Sequence, residues 1–115
     1  MSQTISEMIF EVINEIRGNK EKWDGFYLSE KLVELTMLHS SLSSKIAEFQ
    51  VAYNRLLDMA LIEHPDWSAK RAEISAKAGD EFELLIKSIH LEKSLIEEIR
   101  SLKTYIKIRE REFQN

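Results

Sequence analysis

Apolar residues recur along this chain at intervals of three and four, the period that places side chains on one face of a helix. Ile5, Met8, Ile9, Val12, Ile13 and Ile16 form a first short stripe. Thr4 followed by Glu7 fits a capping box, and Arg17-Gly18 suits a helix end, so a helix over about 4–17 is predicted. A polar connector with two aromatics follows, in which Asp24 is placed to cap the next helix and Trp23 and Phe26 to anchor the connector on the bundle end. The second stripe is the longest. Leu28, Leu32, Leu35, His39, Leu42, Ile46, Phe49, Tyr53, Leu56 and Ala60 alternate four- and three-residue steps, with His39 the one polar interruption. This predicts a helix over about 26–63, roughly 60 Å long at 1.5 Å per residue. His64-Pro65 closes it, because the residue before proline is pushed out of helical geometry. Asp66 or Ser68 then caps a third helix, predicted over about 67–112. Its seam runs Ala78, Phe82, Leu85, Ile89, Glu92, Ile96, Ile99, Lys103, Ile106, Glu110 and Phe113. Gly79 lies inside this pattern at a cost of about 1 kcal/mol; a lone glycine can bend a helix and need not break it, so the pattern leaves open whether the last helix is interrupted here.

The short turn at Pro65 makes the two long helices antiparallel neighbours. Partners in such a hairpin have residue numbers with a constant sum. A sum of 131 pairs Leu32 with Ile99, Leu35 with Ile96, Leu42 with Ile89, Ile46 with Leu85, Phe49 with Phe82 and Tyr53 with Ala78. The same register sets His39 opposite Glu92, a polar layer that fixes alignment at some cost in stability. Leu84, Leu91, Leu95, Leu102 and Tyr105 fall off the seam of the last helix, as do Leu38, Leu57 and Met59 on the other. A two-helix seam cannot cover all of these; the first helix can cover one end, and the rest calls for a partner. The expected fold is therefore all-α: a single helical domain over 1–115, built as a long antiparallel hairpin with a short N-terminal amphipathic helix. The surplus apolar surface predicts assembly into a larger bundle, a homo-oligomer of two or more copies.

Composition narrows the function. The 115 residues are 43% hydrophobic and 31% charged, too apolar for a disordered tail and too charged for a membrane protein. Three Gly and one Pro supply few tight turns, which argues against a many-stranded β fold. Without cysteine there is no disulfide, thiol catalysis or cysteine zinc site. No apolar run approaches the roughly 20 residues of a membrane span, and the N-terminus lacks the pattern of a signal peptide, so a cytoplasmic location is expected.

Candidate chemistry is sparse. His39 and His90 lie on facing helices with Glu92 close by, a weak metal-site pattern. The bundle iron motif Glu-x-x-His is missing from both long helices, and Lys93 beside Glu92 disfavours a bound cation. No cofactor is expected. The acids sit mostly on solvated faces, with no nucleophile motif and no phosphate loop, so no enzyme activity is expected. The basic end is more informative. Arg100, Lys103, Lys107 and Arg111 form one stripe, with Arg109 beside it. Residues 100–111 carry a net +4 and the rest −8. Such a stripe suits phosphates. The competing expectation is charge pairing with Glu21, Asp24, Glu30 and Glu34 of the antiparallel neighbour, together with the helix dipole.

The stretches Phe26-Tyr27-Leu28-Ser29-Glu30-Lys31-Leu32 and Ile99-Arg100-Ser101-Leu102-Lys103-Thr104-Tyr105-Ile106-Lys107, joined by a long hairpin, resemble small helical-hairpin proteins of tailed bacteriophages and prophages. Those are often encoded among replication and recombination genes and mostly lack an assigned activity. The resemblance implies a phage accessory factor in the host cytoplasm, and it carries over no catalytic residue. The leading expectation is a non-enzymatic oligomer acting through contact with a host or phage protein. The alternatives are a nucleic-acid-binding accessory factor of phage replication or recombination, using Arg100, Lys103, Lys107, Arg109 and Arg111, and a phage inhibitor of a host defence protein.

Overall fold

The computed structural model describes residues 3–114. Met1, Ser2, Asn115 and the side chains of Phe113 and Gln114 lie outside the described residues, and with them the last expected seam position. Among the described residues, four α-helices follow in order: α1 (Ile5–Gly18), α2 (Gly25–Glu63), α3 (Ala69–Lys77) and α4 (Asp80–Gln114). A 3-10 turn at Lys20–Lys22 joins the first two, and no strand occurs among the described residues. α2 packs with α4 in an all-α helical hairpin. Among the described residues, no helix is long and apolar enough to cross a membrane.

The chain divides into two compact units, Met1–Leu42 with Leu91–Asn115, and Ser43–His90. In the first, α1 starts where Thr4 Oγ1 accepts the Glu7 N–H at 3.1 Å and ends where Asn19 Nδ2 donates to the Glu15 carbonyl at 2.7 Å. Its stripe buries Ile9, Ile13 and Ile16. Leu28 and Leu35 of α2 and Leu95 of α4 have no exposed surface, and Leu102 is 4% exposed. Leu95 and Leu102, off the two-helix seam, lie at the end of the hairpin that the first helix is expected to cover. Two helices leave the flanks of their seam open to water, whereas α1 forms a third wall that covers those flanks. Lys31 Nζ reaches Glu15 of α1 at 2.8 Å, and Arg17 of α1 pairs with Glu98 of α4. The connector is fixed by Trp23, whose Nε1 donates to the Ile16 carbonyl at 2.9 Å and whose ring meets Tyr105 edge-on at 4.9 Å. Asp24 Oδ1 caps α2 by accepting the Tyr27 N–H at 2.7 Å. Phe26 does not anchor anything, being 82% exposed.

The second unit holds the turn and the one clear departure from the expected helices. After His64, whose ring stacks on Trp67 at 3.9 Å, Ser68 Oγ caps α3 by accepting the Arg71 N–H at 3.1 Å. The single helix expected over 67–112 is two helices. Ala78 N donates to the Ser75 carbonyl at 3.3 Å and Gly79 N to that of Ala76 at 3.2 Å, so the ladder tightens to i→i−3 bonds and stops. Charge favours a break here. Lys77 ends α3, while Asp80, Glu81 and Glu83 open α4, each sign at the dipole end it stabilises. Ala78 consequently leaves the seam, and Ala72 and Ala76 are buried instead. The core of this unit is Tyr53, Ala76 and Leu85, surrounded by Ile46, Phe49, Leu56, Leu57, Phe82 and Ile89. Tyr53 lies against Phe82, ring centroids 5.3 Å apart, not against Ala78.

Candidate functional site

The polar positions of the long helices are where chemistry was expected. Within the first unit, His39 Nε2 stands 3.5 Å from Glu92 Oε2. The side chains are 32% and 28% exposed, so the layer is half-buried and partly solvated. Nε2 itself is buried and makes no hydrogen bond of good geometry, which leaves an ion-pair contact that operates when the imidazole is protonated. His90 is not part of this contact; it is an exposed residue. Among the described residues no three His, Asp or Glu side chains gather as a metal would require, whereas structural zinc takes four ligands and catalytic zinc three.

The basic end separates into two parts. Arg109 leaves the expected stripe. Its Nη2 donates to the Trp23 carbonyl, its guanidinium lies 5.9 Å from the Tyr105 ring centre, and the side chain is half-buried. Arg109 therefore holds the connector onto α4. Arg100, Lys103, Lys107 and Arg111 are exposed, and among the described residues none of them makes an ion pair. Among the described residues the expected neutralisation by Glu21, Asp24, Glu30 and Glu34 of α2 and the connector is not formed. Asp24 is committed as a helix cap, and Glu34 Oε2 lies 3.3 Å from Lys31 Nζ. Lys93, seven residues before Arg100 on the same face, is also exposed and lacks an ion pair among the described residues.

Lys31 is a residue that the apolar pattern passed over. It is 7% exposed, with its ammonium between the Glu15 and Glu34 carboxylates. The hydrogen bond that Lys31 donates to Glu15 does most to raise its pKa above the ordinary lysine value, with help from Glu34 and against the pull of burial. The available signal was its position three residues after Leu28 and four before Leu35, on the flank that α1 covers.

The second feature of the first unit is apolar. Phe26, Val33 and Met37, spaced seven and four, share the outward face of α2 and are 82%, 59% and 67% exposed. Their neighbours on α2 include Glu30, also exposed. In the second unit, Met59, Leu61 and Ile62 near the end of α2 and Ile74 on α3 are exposed as well.

The chain matches no family model, no curated protein and no solved structure.

Proposed function

We propose that this is a non-enzymatic helical protein that works by protein–protein contact, first with further copies of itself. The observation that carries the reading is the row Phe26, Val33 and Met37 on one face of α2. Helix faces that meet only water are normally polar, and large exposed apolar residues at heptad-like spacing are what a partner helix covers. The polar pair His39–Glu92 fits a scaffold role, in which one polar layer sets alignment. The likeness to phage hairpin proteins belongs to this reading and rests on residues 26–32 and 99–107 with the long hairpin between them; under it the partner beyond self-assembly is a phage or host protein.

Sedimentation equilibrium at micromolar concentration tests the proposal. The wild type is expected to give a mass above 13.5 kDa. The double variant Val33→Ser, Met37→Ser should return it to 13.5 kDa with unchanged helix content, since both side chains are exposed. A wild type that stays at monomer mass at high concentration, or a variant that assembles as the wild type does, refutes this use of the α2 face.

A further inference from the structure

The row Lys93, Arg100, Lys103, Lys107 and Arg111 calls for a ligand of opposite charge. We propose that this face of α4 binds the phosphate backbone of duplex nucleic acid without reading its sequence. The site is separate from the apolar face of α2.

Three observations carry the assignment. First, the five cations are exposed and, among the described residues, make no ion pair, while the other cations of the first unit that touch acids (Arg17 and Lys31) do so on the α1 side. The helix dipole does not account for the row, because its influence fades beyond the last turn and so reaches Arg111 but not Lys93. Second, of the four acids that the sequence offers as internal partners, Asp24 is engaged in a cap and Glu34 with Lys31, while Glu21 and Glu30 are exposed and, among the described residues, make no ion pair with the row; Glu98 of α4 is taken by Arg17. Third, charge is segregated. Residues 100–111 carry +4 against −8 for the rest. At physiological salt exposed charges are screened beyond about 8 Å, so a docked phosphate senses the row and not the overall charge of −4.

Geometry favours a duplex. From Lys93 to Arg111 the row runs about 27 Å along a straight helix at 1.5 Å per residue. A duplex presents one phosphate per about 1.7 Å of axis, so the row always faces several. Single strands are gripped by base stacking on aromatic side chains. Tyr105, the aromatic of this stretch of α4 whose side chain is described, is set against Trp23 and Arg109. Glu97 and Glu110 flank the row on α4 and weaken its outer edges, so about four effective phosphate contacts are expected.

The test is fluorescence anisotropy of a labelled 30-base-pair duplex of arbitrary sequence, titrated with the full chain from 50 to 200 mM salt. Four contacts give a slope of log K against log salt of about −4, a loss on the order of 10²-fold across that range. Replacing Arg100 and Lys107 with Ala should shrink the slope by about 2, and circular dichroism should show the helix content unchanged. Arg109→Ala should destabilise the fold and leave the slope of the folded protein as it was. Val33→Ser, Met37→Ser should leave duplex binding intact, which separates failure of this site from failure of the α2 face. Absence of duplex binding at 50 mM salt overturns the proposal. So does a slope that ignores the Arg100 and Lys107 replacements, or tighter binding to a single strand or to anionic vesicles than to the duplex.

Discussion

Lys31 lets the docking of α1 be measured, because it contributes in two separable ways. Its ammonium meets Glu15 at 2.8 Å and Glu34 at 3.3 Å, and its stem is covered, leaving the residue 7% exposed. The two carboxylates are 46% and 41% exposed, so losing the cation leaves them in reach of water and not stranded. The ion pairs are therefore closer to surface than to buried pairs, and together they contribute about 1 kcal/mol. The stem contributes more. Three methylenes beyond Cβ, at about 0.8 kcal/mol each when buried, add about 2 kcal/mol. Lys31→Met keeps most of the stem and loses the charge, so it should cost about 1 kcal/mol. Lys31→Ala loses both and should cost about 3 kcal/mol. Urea unfolding followed by circular dichroism gives both values, and 1 kcal/mol corresponds to about 4 °C in Tm for a chain of this size. The pH dependence has a definite sign. A folded pKa raised by Glu15 and Glu34 gives stability that is fully present below the unfolded value near 10.5. That stability is lost as pH rises through the higher folded value. The gap between wild type and Lys31→Met should stay constant from neutral pH to about pH 9 and narrow only above the unfolded value. Equal costs for the Met and Ala variants would show that the stem contributes nothing. A neutral Met variant whose stability curve parallels the wild type above pH 10.5 would remove the ion pairs from the account.

Two further outcomes follow from the geometry. His39→Leu alone should cost under about 1 kcal/mol, because Glu92 stays partly solvated, and the double change with Glu92→Leu should recover that loss in chemical unfolding while loosening the oligomer state seen by sedimentation; stabilisation of the wild type by stoichiometric zinc would argue for a ligand site instead. Gly79→Ala should be neutral or stabilising by up to about 1 kcal/mol, since its φ is not positive and the added Cβ meets the flexible Glu81 carboxylate at 3.2 Å and the Ala76 carbonyl at 3.4 Å; a loss above 1 kcal/mol in thermal unfolding would show that the break needs glycine.

Much of the fold was legible in the order of residues, for local reasons. The Thr4 cap, the end of α1 near Arg17-Gly18, the Asp24 cap and the unbroken heptad of α2 each depend on neighbours a few positions away. The break at Ala78-Gly79 was also local, written in Lys77 and the acids of Asp80, Glu81 and Glu83, but an apolar period that continued across it masked the signal. The His39–Glu92 contact followed from matching two seams within one hairpin. What the order of residues left open was which side of each helix a third helix would cover. Once α1 lies against α2 and α4, Leu95 and Leu102 become core, Lys31 is enclosed, Arg17 takes Glu98 and Arg109 is drawn to the Trp23 carbonyl. Those contacts join residues up to 86 apart, and no local period encodes them. The same packing takes up Asp24, Glu34 and Glu98 internally, which leaves them unavailable to the basic row of α4. Local pattern determined the helices and their apolar stripes; tertiary structure decided which charges and which apolar rows among the described residues are left exposed, because only the packed chain shows what each side chain touches.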